Sequence, residues 1–563
     1  MNKKGVVLII SMVVMAVLLV LTGVYFTGLM TEKRATDRQE FVLQALNLAE
    51  AGANHALAEL RERIRTDLRD KVSEVHLSSV FTGYVGAADS LGLLRDYAYA
   101  SGDTQFAVSG GKATLTLNSP VLDTAIQGSY TATITIEANG SPTNPSGEVY
   151  VFPYKFSIES SGLVSRTTPN TSKTTRLVQG TFSITTRRDT FAKFALFTSH
   201  HSTPSGTTVW FTANTNFTGP VHTNERFSFA NNPSAHFTED VAQHQNSARY
   251  YNNGWSTLIN DDHNGTIDVP VFEKTFERGY DIITLTSSIT QTDLKTQALG
   301  GTAEPGSNGI YVPNDGTSVT GGIYIRGNQG NHADDPQITM GTAAAGPVYT
   351  IERSGVTKIV TVNYTSNQTT VETVAGSTVT YQGIPDGMGN EGILIYTNDD
   401  VGGLEGVVQQ ASTVTVSAER DIVVDGNLTY EQYNASPLNA DGFTNVLGIL
   451  SWGGDVRIGT SAPDDVQIHG VVMAPHGVFR VDDYNEDAPR GVATLLGGAI
   501  TDFYGAFGTF SGSTPTHGYG RNFVYDDRML QGTTPPYFPY LSNFVAFDDG
   551  KLDQKLVWQD KGV

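Results

Sequence analysis

From residue 6 to residue 30 the chain carries no charged side chain and is apolar at almost every position. At about 1.5 Å per residue, a helix over this stretch is roughly 37 Å long, enough to cross a hydrocarbon layer of about 30 Å. Mixed charges follow at Glu32, Lys33, Arg34, Asp37, Arg38 and Glu40. Apolar residues then recur at steps of three and four: Val42, Leu46, Ala49, Ala53, Leu57, Leu60, Ile64 and Leu68. That spacing makes one stripe on a continuous amphipathic helix. With no proline before residue 120, nothing obliges the helix to kink. The pattern therefore predicts one long helix over residues 6–75, half suited to lipid and half to a globular partner.

Beyond residue 104 the period changes to two. Runs such as KATLTLN, SYTATITIEA, VYVFPYKFSIES and TTRLVQGTFSITTRR alternate apolar and polar positions, and clusters of Gly, Pro, Asn and Ser separate them. This predicts an antiparallel sheet over residues 76–190. Phe191, Phe194 and Phe197 then fall at spacing three, as in a short packed helix. Further on, short strands recur about every ten residues between glycines and aspartates: GIYVP, GGIYIRG, GILIYT, STVTVSA, RDIVVDG, GDVRIG, DDVQIHGVVMAP and GVFRV. Such pitch suits an irregular β-solenoid, with a sandwich or barrel as the alternative. A Thr- and Val-rich stretch interrupts the pattern. The expected division is solenoid over 191–327 and 392–540, an inserted β-domain over 328–391, and a tail over 541–563. The fold class is α+β, mostly β.

Composition sharpens this only in places. The formal net charge of −21 disfavours general affinity for nucleic acid unless a local basic patch exists. Zero cysteines exclude disulfides, thiolate metal sites and cysteine nucleophiles. Glycine is abundant and charged residues are sparse, as expected for β structure with many tight turns.

Several phrases carry a resemblance. The leader MNKKG ends in Gly5 and is followed at once by Val6 and the uncharged helix, which resembles a class III prepilin signal; Lys3 and Lys4 agree with an N-terminus held in the cytoplasm. The stretch ALNLAEAGA at 45–53 resembles large minor pilins of the PilX-like and K-type pseudopilin sort. FAKFALFTS, GPVHTNERF, GGIYIRG, GILSWGGDVRI, LLGGAI and GYGRNFVYDDRM…PPYFP resemble the large competence-associated minor pilins of the ComZ type. The resemblance implies cleavage and N-methylation by prepilin peptidase between Gly5 and Val6, and a pilin-like β head on the stalk helix. It further implies other major and minor pilins as partners along that helix, and double-stranded DNA as a ligand. Before assembly the chain would sit in the inner membrane with a periplasmic head, and afterwards at a pilus tip or cell surface. One position departs from the pattern. Most pilins carry a glutamate where this chain has Ile10, and K-type subunits without it cap filaments.

Chemistry is sparse. The loop NDDHNGTID places Asn260, Asp262, Asn264, Thr266 and Asp268 as alternating oxygen donors around Gly265, in the manner of a loop that wraps calcium; a hydrated turn is the plain alternative. Motifs of serine hydrolases, zinc proteases, phosphate-binding loops and dinucleotide folds are absent, and no enzyme is expected. A carbohydrate-active solenoid would need Asp464–Asp465 and Asp482–Asp483 assembled with Arg457 and Arg480. His200, His201 and His222 lack a carboxylate at a fixed helical offset. Candidate DNA contacts are Arg176, Arg187, Arg188, Lys193, Arg326 and Arg521. Between Gly327 and Gly383, however, only Arg353 and Lys358 stand against Asp334, Asp335, Glu352 and Glu372. The expected function is a minor type IV pilin at the pilus tip that captures DNA in natural transformation; a tip adhesin or assembly-priming subunit is the alternative.

Overall fold

A computed structural model describes the chain from Lys3 to Lys561, except residues 69–71, 73–77, 102–105, 120–127, 147–148, 166–170, 213–214, 231–234, 252–254, 259–269, 286–288, 329–331, 375, 390, 433–443, 487, 512–513, 531 and 555. The described residues form a long N-terminal helix followed by a mostly β region of several sheets. They divide into two compact units, Met1–Arg187 with Asn543–Val563, and Arg188–Ser542.

In the first unit, helix α1 spans Lys3–Glu62 and runs on through a wider turn at Arg63–Asp67. Its apolar first half is wholly exposed, from Val6 to Met30. Threonines there do not disturb it. Thr22 and Thr31 donate their hydroxyls to carbonyls four residues back, as an apolar environment requires. The second half buries Ala45, Ala49, Ala53, Ala56, Leu57, Leu60, Ile64 and Leu68. The stripe read from spacing is therefore in place from Ala49 onward, with Val42 and Leu46 only half-buried.

Two short helices, α2 (Ser78–Gly86) and α3 (Gly92–Ser101), lead into the sheet. Strands β1 (Phe106–Ser109), β2 (Lys112–Asn118), β3 (Gly128–Ala138), β5 (Val149–Ser165) and β6 (Thr171–Thr190) pair in that order, all antiparallel, with β4 (Thr143–Ser146) on the outside of β5. Alternation in β5 sends Tyr150, Phe152, Tyr154, Phe156 and Ile158 inward, as a period of two demands. These meet Leu57, Leu60 and Phe81 in one core. The C-terminal segment is not a loose tail. Val557–Asp560 adds an antiparallel strand to β6, and Arg65 of the helix grips Asp548 through two hydrogen bonds of 3.1 and 3.2 Å.

In the second unit the pairing is mainly parallel. One column runs Ile323–Arg326, Ile393–Thr397, Thr413–Ala418, Val446–Ser451, Gln467–Ala474 and Pro489–Phe503. It then continues through Leu196–His200, Val221–Thr223, Val241–Gln243 and Phe276–Arg278. The chain thus enters the column in its middle, builds to one end, crosses to the other end and returns. A second column stacks Gln337–Ala343, Val401–Val408, Ile422–Tyr430, Val456–Ile458 and Phe479–Val481.

Parallel register puts like residues over like. Phe217, Phe237 and Phe272 stack with ring centroids 5.8 and 5.4 Å apart, and Tyr324 lies over Tyr396 at 6.0 Å. Offset stacking of this kind adds to the burial of large rings. Phe191–Lys193 is a single 3-10 turn rather than a helix, with Phe191, Phe194 and Phe197 all in the core. Where the sequence turns Thr- and Val-rich, Gln337–Ala343, Gly346–Arg353, Val356–Asn363, Gln368–Thr373 and Thr378–Gln382 form an antiparallel meander rooted on the second column.

Candidate functional site

The proposed processing point lies inside continuous backbone helix, since α1 already begins at Lys3 and passes through Gly5 and Val6. Ile10 is more than half exposed, with no polar group beside it on that face of the helix. An exposed apolar helix this long is suited to burial in lipid or against other helices. By length and composition it is suited to a membrane anchor, or to a signal segment.

The six candidate DNA-contacting cations divide between the units: Arg176 and Arg187 in the first, Arg188, Lys193, Arg326 and Arg521 in the second. Most of them have structural work already. Arg176 meets Asp560 at 2.6 Å and Glu50 at 3.5 Å, joining the C-terminal strand, β6 and the stalk helix. Arg187 lies over the ring of Phe547 at 5.2 Å. Lys193 pairs with Asp189 at 2.6 Å and rests on Phe194. Arg521 covers Tyr504 at 4.9 Å and donates to its hydroxyl. Arg188 and Arg326 are half-buried; against its burial, hydrogen bonds from Tyr324 and Lys295 hold the Glu304 carboxyl below the usual range, and Arg326 adds to them. A guanidinium on a ring keeps its full charge, so Arg521 remains compatible with phosphate, whereas Arg176 and Lys193 would first have to leave carboxylates.

The antiparallel meander is poorer still in cations. Arg353 is 5% exposed, and Lys358 donates to the Ile310 carbonyl at 2.7 Å, with burial holding its ammonium below the usual lysine range. Its exposed positions include Gln337, Thr339, Glu352, Thr378 and Gln382 together with Val356, Tyr364, Val374 and Val379.

GYGRNFVYDDRM supplies a clamp. Arg528 and Asp526 are both buried and pair at 2.6 Å, with the guanidinium also over Tyr430 and donating to the Asn445 carbonyl. The acid groups considered for a carbohydrate-active site are also tied. Arg457 meets Asp421 at 3.0 Å and Asp482 at 2.8 Å, while Arg480 meets Asp482 at 2.7 Å and Asp455 at 2.8 Å. Arg457 and Arg480 are in-register neighbours on adjacent coils, so these residues form one alternating charge ladder. Asp464 pairs with Arg490, and Asp465 accepts the Val492 amide.

The histidines have packing roles. His200 sits against Asp502 at 3.1 Å and stacks on Phe503. His222 stacks on Phe197 and contacts Asn224. His201 is enclosed by Phe211, Phe227 and Tyr504, and burial pushes its pKa down to about 3. The calcium loop with Asn260, Asp262, Asn264, Thr266 and Asp268 lies outside the described residues.

One group escaped the sequence reading. His332, Asp335 and Asp400 converge within 4.8 Å of one another, with Asp399 beside them. The phrases HADD and NDD were visible, but nothing in their linear spacing of more than sixty residues marks them as neighbours; only parallel pairing of Gln337–Ala343 with Val401–Val408 does.

Residues 149–243 match a family described as a domain of unknown function, DUF4900. The match covers β5, β6 and the first strands of the second unit. No curated protein and no solved structure is significantly similar to the chain.

Proposed function

We propose that this chain is a minor subunit of a type IV pilus, placed at or near the tip and taking part in DNA uptake. The observation that carries the reading is the division of α1: an uncharged, fully exposed half continuous with a half packed on an antiparallel sheet. A helix of this kind can be held in the inner membrane and then transferred to a filament core with no refolding of the head. On this reading the first unit is a pilin-like head, Gly5–Val6 is the prepilin peptidase site, and Ile10 replaces the carboxylate that shaft subunits offer to a neighbour's terminal amine. The parallel columns are read as a β-solenoid and the meander as its inserted β-domain.

DNA as the ligand rests on the resemblance to competence-associated minor pilins. The engaged cations and the cation-poor meander favour a second ligand class, a neutral polar surface or glycan, which would make the subunit a tip adhesin. Gel retardation of double-stranded DNA by the full chain in detergent, across a salt series, separates the two. Retardation that weakens steeply with salt supports DNA capture; no retardation at low salt removes it and leaves adhesion or assembly priming. The processing site is tested by mass spectrometry of the N-terminus after co-expression with a prepilin peptidase.

A further inference from the structure

We infer that His332, Asp335 and Asp400, with Asp399 behind them, bind a divalent first-row transition ion such as zinc or manganese. The site lies at the root of the antiparallel meander, within the second unit. His332–Asp334 is a short 3-10 turn just before the strand Gln337–Ala343. Asn398, Asp399 and Asp400 fill the turn between Ile393–Thr397 and Val401–Val408. Parallel pairing of the two following strands, with the Gly402 amide donating to the Pro336 carbonyl at 3.0 Å, brings the two turns together.

The donor geometry is specific. His332 Nδ1 lies 3.3 Å from Asp335 Oδ2 and 3.2 Å from Asp400 Oδ2. Ligand atoms separated by about 3.2 Å are the edges of a tetrahedron or octahedron with metal–ligand bonds of roughly 2.0–2.2 Å, the range for zinc with imidazole and carboxylate. One imidazole with carboxylates suits zinc or manganese better than calcium, which prefers six to eight oxygens.

A second observation points to a missing partner. The Asp400 side chain is 5% exposed, its Oδ1 accepts the Asp421 amide at 2.8 Å, and its Oδ2, facing His332, accepts no hydrogen bond. Asp335, 8% exposed, and Asp399 each have a buried Oδ1 that is likewise unsatisfied. Buried carboxylate oxygens without donors are costly, and a cation is the partner that satisfies several at once. Among the described residues, the positive groups acting on these carboxylates are Arg420, 3.7 Å from Asp400, and Arg353, whose field reaches Asp399. Two glycines keep the space open. A β-carbon at Gly402 would stand 2.8 Å from that of Asp335, and one at Gly327 would collide with the Asp399 side chain.

The ion would staple the entry of the meander to the neighbouring coil. The test uses the full chain in detergent, stripped with chelator and titrated with zinc and with manganese by calorimetry, with retained metal counted by mass spectrometry. His332 is largely exposed, so His332→Ala leaves the fold intact. One equivalent bound, a thermal midpoint raised by that metal, and affinity at least 10-fold weaker in H332A support the site. Metal retention and midpoint identical in wild type and H332A would overturn it. So would a midpoint that follows protonation of His332 with no dependence on metal, because a charged imidazole would then bridge the carboxylates alone.

Discussion

Gly162 of β5 lies directly against the stalk helix at Ala45: a β-carbon on Gly162 would stand 2.5 Å from the Ala49 amide nitrogen and closer still to the Ala45 carbonyl oxygen. Gly52 makes the reciprocal approach from the helix, where a β-carbon would run into Ser160 and the ring of Tyr130. The small residues of ALNLAEAGA therefore have a packing reason, which is to let helix backbone touch sheet backbone.

Gly162→Ala should accordingly destabilise the first unit, by about 1–3 kcal/mol as for other overpacked cores. Gly83 of α2 has nothing within 4 Å of its missing β-carbon, and Gly83→Ala should be neutral or stabilising by up to about 1 kcal/mol. Chemical denaturation of both variants checks the contrast. Equal effects would mean that the close approach at Gly162 does not limit the fold.

Arg528 and Asp526 give a larger expectation. Both are buried, and removing the carboxylate charge takes the paired anion away from a guanidinium in a low-dielectric site. Asp526→Asn should cost about 3–5 kcal/mol, whereas replacing both residues with apolar side chains of similar volume should cost much less. Denaturant midpoints of the single and double variants decide it.

Three histidines make the second unit acid-labile. Burial pushes His201 down to about 3 and His222 and His469 down to about 4, from 6.5 in the unfolded chain. Below pH 6.5 the unfolded chain binds protons that the native state refuses. Stability is therefore full above about pH 6.5 and falls as pH drops toward 4, by roughly 1.4 kcal/mol per pH unit for each histidine. Neither ring nitrogen of His201 has a hydrogen-bond partner, so His201→Leu should flatten the slope of stability against pH between 6 and 4. An unchanged slope would put the acid lability elsewhere.

The stalk was legible because its information is local: absence of charge over 6–30 and a three-and-four spacing afterwards need no tertiary knowledge. The long hairpin of β5 and β6 was legible for the same reason, through alternation. The order of the parallel columns was not, because Leu196–His200 pairs with Pro489–Phe503 and no local pattern encodes so distant a neighbour. Candidate sites suffered most. Arg176 and Lys193 looked free in the sequence, but Asp560 and Asp189 meet them. His332 and Asp400 were each unremarkable until strand register joined them.

Ile10 offers the sharpest test of the proposed place in the filament. On the proposed pilin reading, a carboxylate at position 10 would satisfy the terminal amine of an adjoining subunit in an apolar filament core, where an isolated charge is expensive. Ile10 cannot offer that partner, which costs nothing at a filament tip, where no further subunit needs one. Ile10→Glu restores the acceptor on a stretch of helix whose side chains are exposed from Val6 to Met30. Immunogold labelling of filaments should then move from the tip to positions along the shaft, at unchanged total protein. The helix packing should be unaffected, since every side chain from Val6 to Glu40 is exposed. Labelling that stays at the tip would show that the large head, rather than the missing carboxylate, sets the position.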